Sequence, residues 1–200
     1  MTFNHDPGSY VAFEYNGDLP IRSKSYSNNI LVQTWTNFVS VSGSTITITY
    51  ILDPAPNSFD TVILRYSFEG KNMTQYQTLL ISNTGDDIDT RSIFSYTSDN
   101  LTGTLYRSFL NGIEGSAGIA RTVKQTDDKF NPYSGLSPMN QAIIGGGSQV
   151  TRHGLHNTLQ FESPTTIGGL YVYTYDNDGY ALTMKEPSFY GSFETFTYNR

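Results

Sequence analysis

Two histidines three residues apart, His153 and His156, are the first side chains whose type and spacing invite a chemical reading. A zinc site needs three or four ligands, and imidazoles at i and i+3 face the same way only on a helix. This pair instead precedes an extended run, beside Gly154, with no third ligand evident. Solvated or structural histidines are expected. Asp176-Asn177-Asp178-Gly179 has the composition of a calcium loop, but with Gly179 as the sixth position the twelfth is Lys185, where a bidentate Glu is required. A hairpin turn, with Asp-Gly supplying the positive φ, fits better. Asp86, Asp87 and Asp89 cluster, with Asp99 not far along the chain. Paired carboxylates can hydrolyse a glycosidic bond when they face one another across a cleft. Nothing in the sequence sets these opposite each other, so a solvated loop is expected. Gly145-Gly146-Gly147-Ser148 lacks the Gly-Lys-Ser/Thr of a phosphate cradle and reads as a flexible loop, and no G-x-S-x-G occurs. Asn72 and Asn100 open N-x-S/T triplets that matter only in a secretory pathway and are expected to be unmodified. No catalytic, cofactor-binding or metal-binding residue is assigned, no cofactor is expected, and the chain is not read as an enzyme. One aromatic set remains open. Tyr171, Tyr173 and Tyr175 share a strand face by period two. They are core residues, a protein contact, or a platform on which sugars stack.

The elements that would position these residues are strands. Thr45, Thr47, Thr49 and Ile51 alternate with Ile46, Ile48, Tyr50 and Leu52, a β-branched period-two run with one face inward. Pro54 and Pro56 stop it, because proline cannot donate to a ladder. Val62, Leu64, Tyr66 and Phe68 repeat the alternation, which predicts two neighbouring antiparallel strands. Ile30 to Val41, Arg91 to Thr97, Leu101 to Leu110, Leu159 to Phe161, Leu170 to Tyr175, Tyr180 to Met184 and Phe189 to Tyr198 read as further strands, and Met73 to Ile81 as a strand or a helical turn. Residues 1–29 read as an irregular lead-in with a short strand hinted at Val11, Phe13 and Tyr15; residues 111–150 read as a long surface loop region with a turn of helix near Pro138 to Ala142. Eight to ten short strands without a three-turn amphipathic helix, and without a 20–50-residue repeat, predict one all-β domain over residues 1–200, a sandwich or barrel.

Composition narrows the partners. A net charge of −6 argues against a basic grip on nucleic acid. Cysteine is absent, which removes disulfides, thiolate nucleophiles and cysteine zinc sites. Residues 1–10 have neither the apolar core nor the basic start of a signal peptide, Thr2 breaks a myristoylation motif, and no apolar run approaches the ~20 residues of a membrane helix, so no membrane contact is expected. Charged residues are only 15%, against about a quarter in ordinary domains, while aromatics reach 14%. The polar surface is therefore Ser, Thr and Asn. Such side chains lose less solvation than charges when covered, which suits packing against other molecules.

Trp35 to Gly70 (WTNFVSVSGSTITITYILDPAPNSFDTVILRYSFEG) resembles a block of the coat proteins of picorna-like icosahedral RNA viruses. In both, an aromatic segment leads to a Gly-Ser turn, here Gly43-Ser44, then a strand, a loop and a second strand of the type Leu64-Arg65-Tyr66. Asn157 to Pro164 (NTLQFESP) is similar to that family's strand ending in an acidic residue and a proline, and Phe189 to Phe196 (FYGSFETF) to its closing strand. The resemblance implies a jelly-roll β-sandwich of about eight antiparallel strands with long loops. It also implies a structural capsid role, with other coat subunits as partners, a host receptor or glycan met by surface loops, and a place in the virion after assembly in host cytoplasm. Interfaces above about 2,000 Å² would be expected. The alternatives are a carbohydrate- or receptor-binding sandwich, lectin-like or at the head of a phage fibre, and an enzyme on a β scaffold.

Overall fold

The computed structural model describes residues 3–6, 9–17, 19–53, 59–82, 85–115, 118–144, 153–164, 166–167, 170–185 and 193–195. Gly145 to Ser148 lie outside them, as does most of Phe189 to Tyr198. The described residues are all-β, with antiparallel sheets and one short helix. The strands are β1 Phe3–Asp6, β2 Ser9–Asn16, β3 Leu19–Ser27, β4 Ile30–Ser42, β5 Thr45–Asp53, β6 Phe59–Glu69, β7 Asn72–Ser82 and β8 Ile88–Thr97. They continue as β9 Asn100–Leu110, β10 Ile113–Glu114, β11 Ile119–Phe130, β12 His156–Ser163, β13 Thr166–Ile167, β14 Val172–Tyr175, β15 Ala181–Lys185 and β16 Phe193–Thr195. One short helix, α1 Pro138–Ile144, lies between β11 and β12.

Hydrogen bonding joins thirteen strands in the order β1-β2-β3-β4-β5-β6-β7-β8-β9-β11-β12-β13, with β10 on β9, and three in the order β14-β15-β16. Chain order and sheet order nearly coincide. A jelly roll instead sets strands distant in the chain beside one another through long crossovers. The described strands therefore do not follow the jelly-roll order expected from the sequence, and they exceed the expected eight. The physical reason lies in the turns. Asn28 and Asn29 (φ 51° and 61°), Ser98 and Asp99 (49° and 64°), and Asn111 and Gly112 (50° and 78°) supply consecutive positive φ angles. That is the backbone of a two-residue type I′ hairpin, whose twist matches the flanking strands and locks each strand to the next. Two other expectations are corrected. The irregular lead-in over 1–29 holds β1, β2 and β3, and the surface loop over 111–150 contains β10 and the twelve-residue β11.

The chain forms two compact units: unit 1 is residues 1–66, 77–90 and 108–115; unit 2 is residues 67–76, 91–107 and 116–200. In unit 1, β4 and β5 pair through Asn37↔Tyr50, Val39↔Ile48 and Val41↔Ile46. The part of this face from Asn37 to Ile46 turns inward, with Ile48 and Tyr66 fully buried and Ile46 and Asn37 nearly so, whereas Val41 at its end is exposed. Each of the two isoleucines stabilises the fold by about 1.5–3 kcal/mol on burial. Polar groups beneath are bridged: Arg65 Nη1 donates to Gln77 Oε1 (3.1 Å) and Gln77 Nε2 to Asp89 Oδ1 (2.9 Å). The amide thus links a guanidinium to a buried carboxylate that would otherwise be costly. In unit 2 the apolar core comprises Phe68, Met73, Phe94, Leu101, Ala142, Tyr171, Ala181 and Met184.

Candidate functional site

A cavity of about 420 Å³ opens in unit 2 where two hairpin tips meet later loops. Its walls are the turn Gly70-Lys71 with Glu69 and Asn72, the turn residue Asp99, the segment Tyr133-Ser134, Gln141 of α1, and His153 to Leu155, over Met73 and Tyr96. Asn131, 2% exposed, organises the loop side. Its Oδ1 accepts from Tyr133 N (2.9 Å), its Nδ2 donates to His153 O (3.4 Å), and its backbone N–H donates to Leu155 O (2.9 Å). Leu155 N in turn donates to Asp99 O (2.8 Å), tying the loop to the hairpin. His153 is buried, with its ring against Phe94 at 4.1 Å between centroids. Gly154, at φ 91°, passes so close that a Cβ there would stand 2.8 Å from Leu101 N.

The cavity's polar chemistry is unbalanced towards acceptors. Asn72 Nδ2 donates to Asp99 Oδ1 (2.8 Å), Tyr96 OH donates to Met73 O (2.8 Å), and Gln141 Nε2 donates to both Lys71 O and Leu136 O (3.1 Å each). Both protons of Gln141 Nε2, one of the two on Asn72 Nδ2 and the Tyr96 hydroxyl are thereby spent on the frame, while Asp99 Oδ2, Asn72 Oδ1, Gln141 Oε1 and the lone pairs of Tyr96 supply acceptors. Burial raises the Tyr96 phenol well above its ordinary pKa, so it stays a neutral donor to Met73 O. Glu69, Asp99 and Lys71 are exposed at the rim.

A second cluster in unit 2 centres on Asp127, whose carboxylate accepts from Lys129 N (3.0 Å), Asn157 N (3.2 Å), Asn157 Nδ2 (3.1 Å) and the Tyr175 hydroxyl. Burial first, and then the bond to Asp127, raises the Tyr175 phenol pKa. A carboxylate already accepting four bonds is a poor general base, because proton uptake would break them. The cluster pins β11, β12 and β14 together. The three tyrosines of the sequence pattern belong to this interior side: Tyr171 is 7% exposed and packs near Phe161, and Tyr173 stacks on Tyr175 at 6.2 Å.

Unit 1 carries a different surface. The outward register of β4 and β5 from Thr36↔Ile51 through Phe38↔Thr49 and Ser40↔Thr47 to Ser42↔Thr45 carries no charge; Thr34↔Asp53 follows it at the end of the pairing. Phe38 is 56% exposed and Ile51 40%. Ile30, Leu31, Val32 and Val41 of β4 are also exposed. On the adjoining β2 and β3, Glu14 pairs with Lys24 and with Arg22 (3.0 Å to Arg22), which lowers the Glu14 pKa, chiefly through Lys24.

The other sequence candidates are placed in turn. His156 Nδ1 lies 3.1 Å from Lys129 O and its ring near Phe130; it does not share a site with His153. No group of three or more His, Asp or Glu side chains suited to a metal occurs among the described residues. Asp176 to Gly179 is a hairpin turn: Asp176 N bonds Tyr180 O, Asp176 Oδ1 accepts from Asp178 N and Tyr180 N (2.9 Å each), and Gly179 has φ 85°. The acidic cluster is spent on staples, with Asp86 Oδ1 accepting from Asn111 Nδ2 (2.9 Å) and Asp87 Oδ1 from Ser82 N (3.0 Å). Asn72 is bonded to Asp99, and Asn100 Oδ1 accepts from His156 N (3.3 Å). The cavity itself escaped sequence reading; its signal was Ser98-Asp99, an I′-turn pair in the gap between the strands expected at Arg91 to Thr97 and Leu101 to Leu110. Among the described residues no helix is long and apolar enough to cross a membrane. Comparison with family models, with characterised proteins and with solved structures yields no match.

Proposed function

We propose that this chain is a structural subunit, without catalytic function, that associates with copies of itself or with sister subunits through its sheet surface. The observation that carries the reading is the charge-free stretch of the outer face of β4 and β5 from Thr36↔Ile51 to Ser42↔Thr45, with Phe38 and Ile51 exposed among threonines and serines. A soluble surface of that kind loses little solvation when covered, and the core of protein interfaces is depleted in charge and enriched in aromatics. The charged trio Glu14, Arg22 and Lys24 beside it supplies a polar rim. The coat-protein resemblance of Trp35 to Gly70 covers this same pair of strands, and an icosahedral virion shell is the assembly it favours. The jelly-roll arrangement of that family is not required by this reading, which rests on surface chemistry. The test is the assembly state of the purified chain, alone and with its natural partners, by light scattering and electron microscopy. Concentration-dependent oligomers or shell-like particles are expected, and Phe38→Asp should weaken association at least about tenfold, as removal of a central aromatic anchor does. A monomer at all concentrations, in native particles and in isolation, would defeat the proposal.

A further inference from the structure

We infer that the hairpin-tip cavity of unit 2 binds a neutral, hydroxyl-rich ligand of the size of a single sugar ring. The inference is independent of assembly, since it uses none of the β4–β5 surface. Three observations carry it. The first is size: about 420 Å³ lies within the ~300–1,000 Å³ typical of small-molecule sites. The second is the acceptor surplus. The frame has used both amide protons of Gln141, one of the two of Asn72 and the Tyr96 hydroxyl, leaving Asp99 Oδ2, Asn72 Oδ1 and Gln141 Oε1 to be met by a ligand that donates several hydrogen bonds. Sugar hydroxyls donate to carboxylates and amide oxygens, and can accept in return from Lys71 Nζ. The third is the wall chemistry. Tyr96 and Tyr133 offer apolar ring surface beside these polar groups, the pairing that a pyranose needs for its C–H face and its hydroxyl edge.

Charge selects against the obvious competitors. Glu69 and Asp99 outnumber Lys71 at the rim, so an anionic ligand is repelled. Lys71 offsets part of that field, and methylammonium probes directly for a cationic ligand. The site is also framed before any ligand arrives, through the Asn131, Leu155 and Asp99 bonds and the fixed path of Gly154, which lowers the ordering cost of binding. The glycan platform considered from sequence, the tyrosine ladder at 171–175, faces inward; the cavity presents a different set of residues from different turns.

The experiment is saturation-transfer difference NMR on the full chain with methyl glycosides of glucose, galactose, mannose, fucose and N-acetylglucosamine, with methylammonium and inorganic phosphate as charged probes. At least one glycoside should receive saturation and titrate to a plateau in the millimolar range ordinary for a single ring. Asp99→Asn keeps a residue that tolerates the turn and replaces a charged acceptor by a neutral one, so binding should weaken about tenfold. Glu69→Gln, on an exposed side chain, serves as the second variant and should weaken binding about threefold. Gly135→Ala, beside the Tyr133-Ser134 wall but with nothing within 4 Å of the added Cβ, should bind as the parent does. The inference is overturned if no glycoside receives saturation, if only methylammonium or phosphate does, or if neither Asp99→Asn nor Glu69→Gln changes the affinity of a folded protein.

Discussion

Substituting Gly154 by alanine tests whether the cavity wall is as tightly built as its backbone indicates. Two penalties act at once. Gly154 sits at φ 91°, a region that costs an L-residue about 1–3 kcal/mol. The new Cβ would stand 2.8 Å from Leu101 N and 3.3 Å from Leu101 Cβ, both on β9, and overpacking of that kind costs about 1–3 kcal/mol. Partial relaxation of the loop will relieve some of this, so a local destabilisation of about 3 kcal/mol is expected. The assay should be local too. The only tryptophan, Trp35, lies in unit 1, so its fluorescence reports the wrong unit. Hydrogen exchange at the Leu155 amide is the direct reporter, because that N–H is bonded to Asp99 O at 2.8 Å next to the substituted residue. A 3 kcal/mol loss lowers its protection roughly 100-fold, at about 1.4 kcal/mol per tenfold. Gly135→Ala is the control, since a Cβ there meets nothing within 4 Å and its φ is not positive. Leu155 protection within about threefold of the parent in Gly154→Ala would refute the reasoning about the wall.

Tyr175→Phe removes a hydroxyl from the Asp127 carboxylate and should cost about 1.5 kcal/mol, the lower end for a bond to a charged group because Tyr175 is half-buried; urea midpoints by circular dichroism would measure it. The same phenol has a raised pKa in the folded protein, so its contribution is complete below about pH 10, where an unfolded tyrosine titrates, and is lost as pH climbs towards the folded value. Midpoints taken from pH 8 to 11.5 should fall in the parent and fall less in Tyr175→Phe, with Tyr96 responsible for part of the remaining slope. Asn111→Ala breaks two staples to the 85–87 loop and places alanine at φ 50°, for an expected loss of about 2 kcal/mol, whereas Asn111→Gly keeps the turn and should lose about half as much. Equal stabilities for the two variants would show that the staples, not the turn geometry, carry the effect.

Strand identity was legible where β-branched residues alternate. In β5, Ile46 and Ile48 go in and Thr45, Thr47 and Thr49 stay out, so pattern and burial agree. The turn of helix near Pro138 was legible from a proline at the first helical position. What failed to register was strand built from polar residues. In β3, Lys24 and Arg22 alternate with serines and show no apolar face; the strand is held by Glu14 across the ladder and by Tyr26 stacked on Tyr10 at 4.5 Å. In β11, Ile119 to Phe130 is mostly exposed, and its extended form comes from pairing with β9 on one side and β12 on the other. Strand propensity is largely a statement about neighbours, so a strand held by cross-strand pairs between polar residues leaves little trace in its own composition.

The candidate site was hidden for a related reason, and the strand order explains why. When consecutive strands pair antiparallel, every second turn falls on the same edge of the sheet. The β6–β7 tip at Gly70-Lys71 and the β8–β9 tip at Ser98-Asp99 are therefore neighbours, and Asn72 reaches Asp99 across 27 residues of chain. The opposite edge obeys the same rule: the β7–β8 loop at Asp86 and Asp87 meets the β9–β10 turn at Asn111. Once strand order is known, both clusters follow from the sequence by counting turns. Assigning the chain to crossover topology sends Asp99 and Asn72 to unrelated places and leaves Asp86 and Asp87 as bare loop acids. The error in topology and the missed cavity are thus one error. Ser98-Asp99 falls in the gap between the strands expected at Arg91 to Thr97 and Leu101 to Leu110, and Asn111-Gly112 at the start of the expected loop region, and neither pair was recognised as a two-residue hairpin.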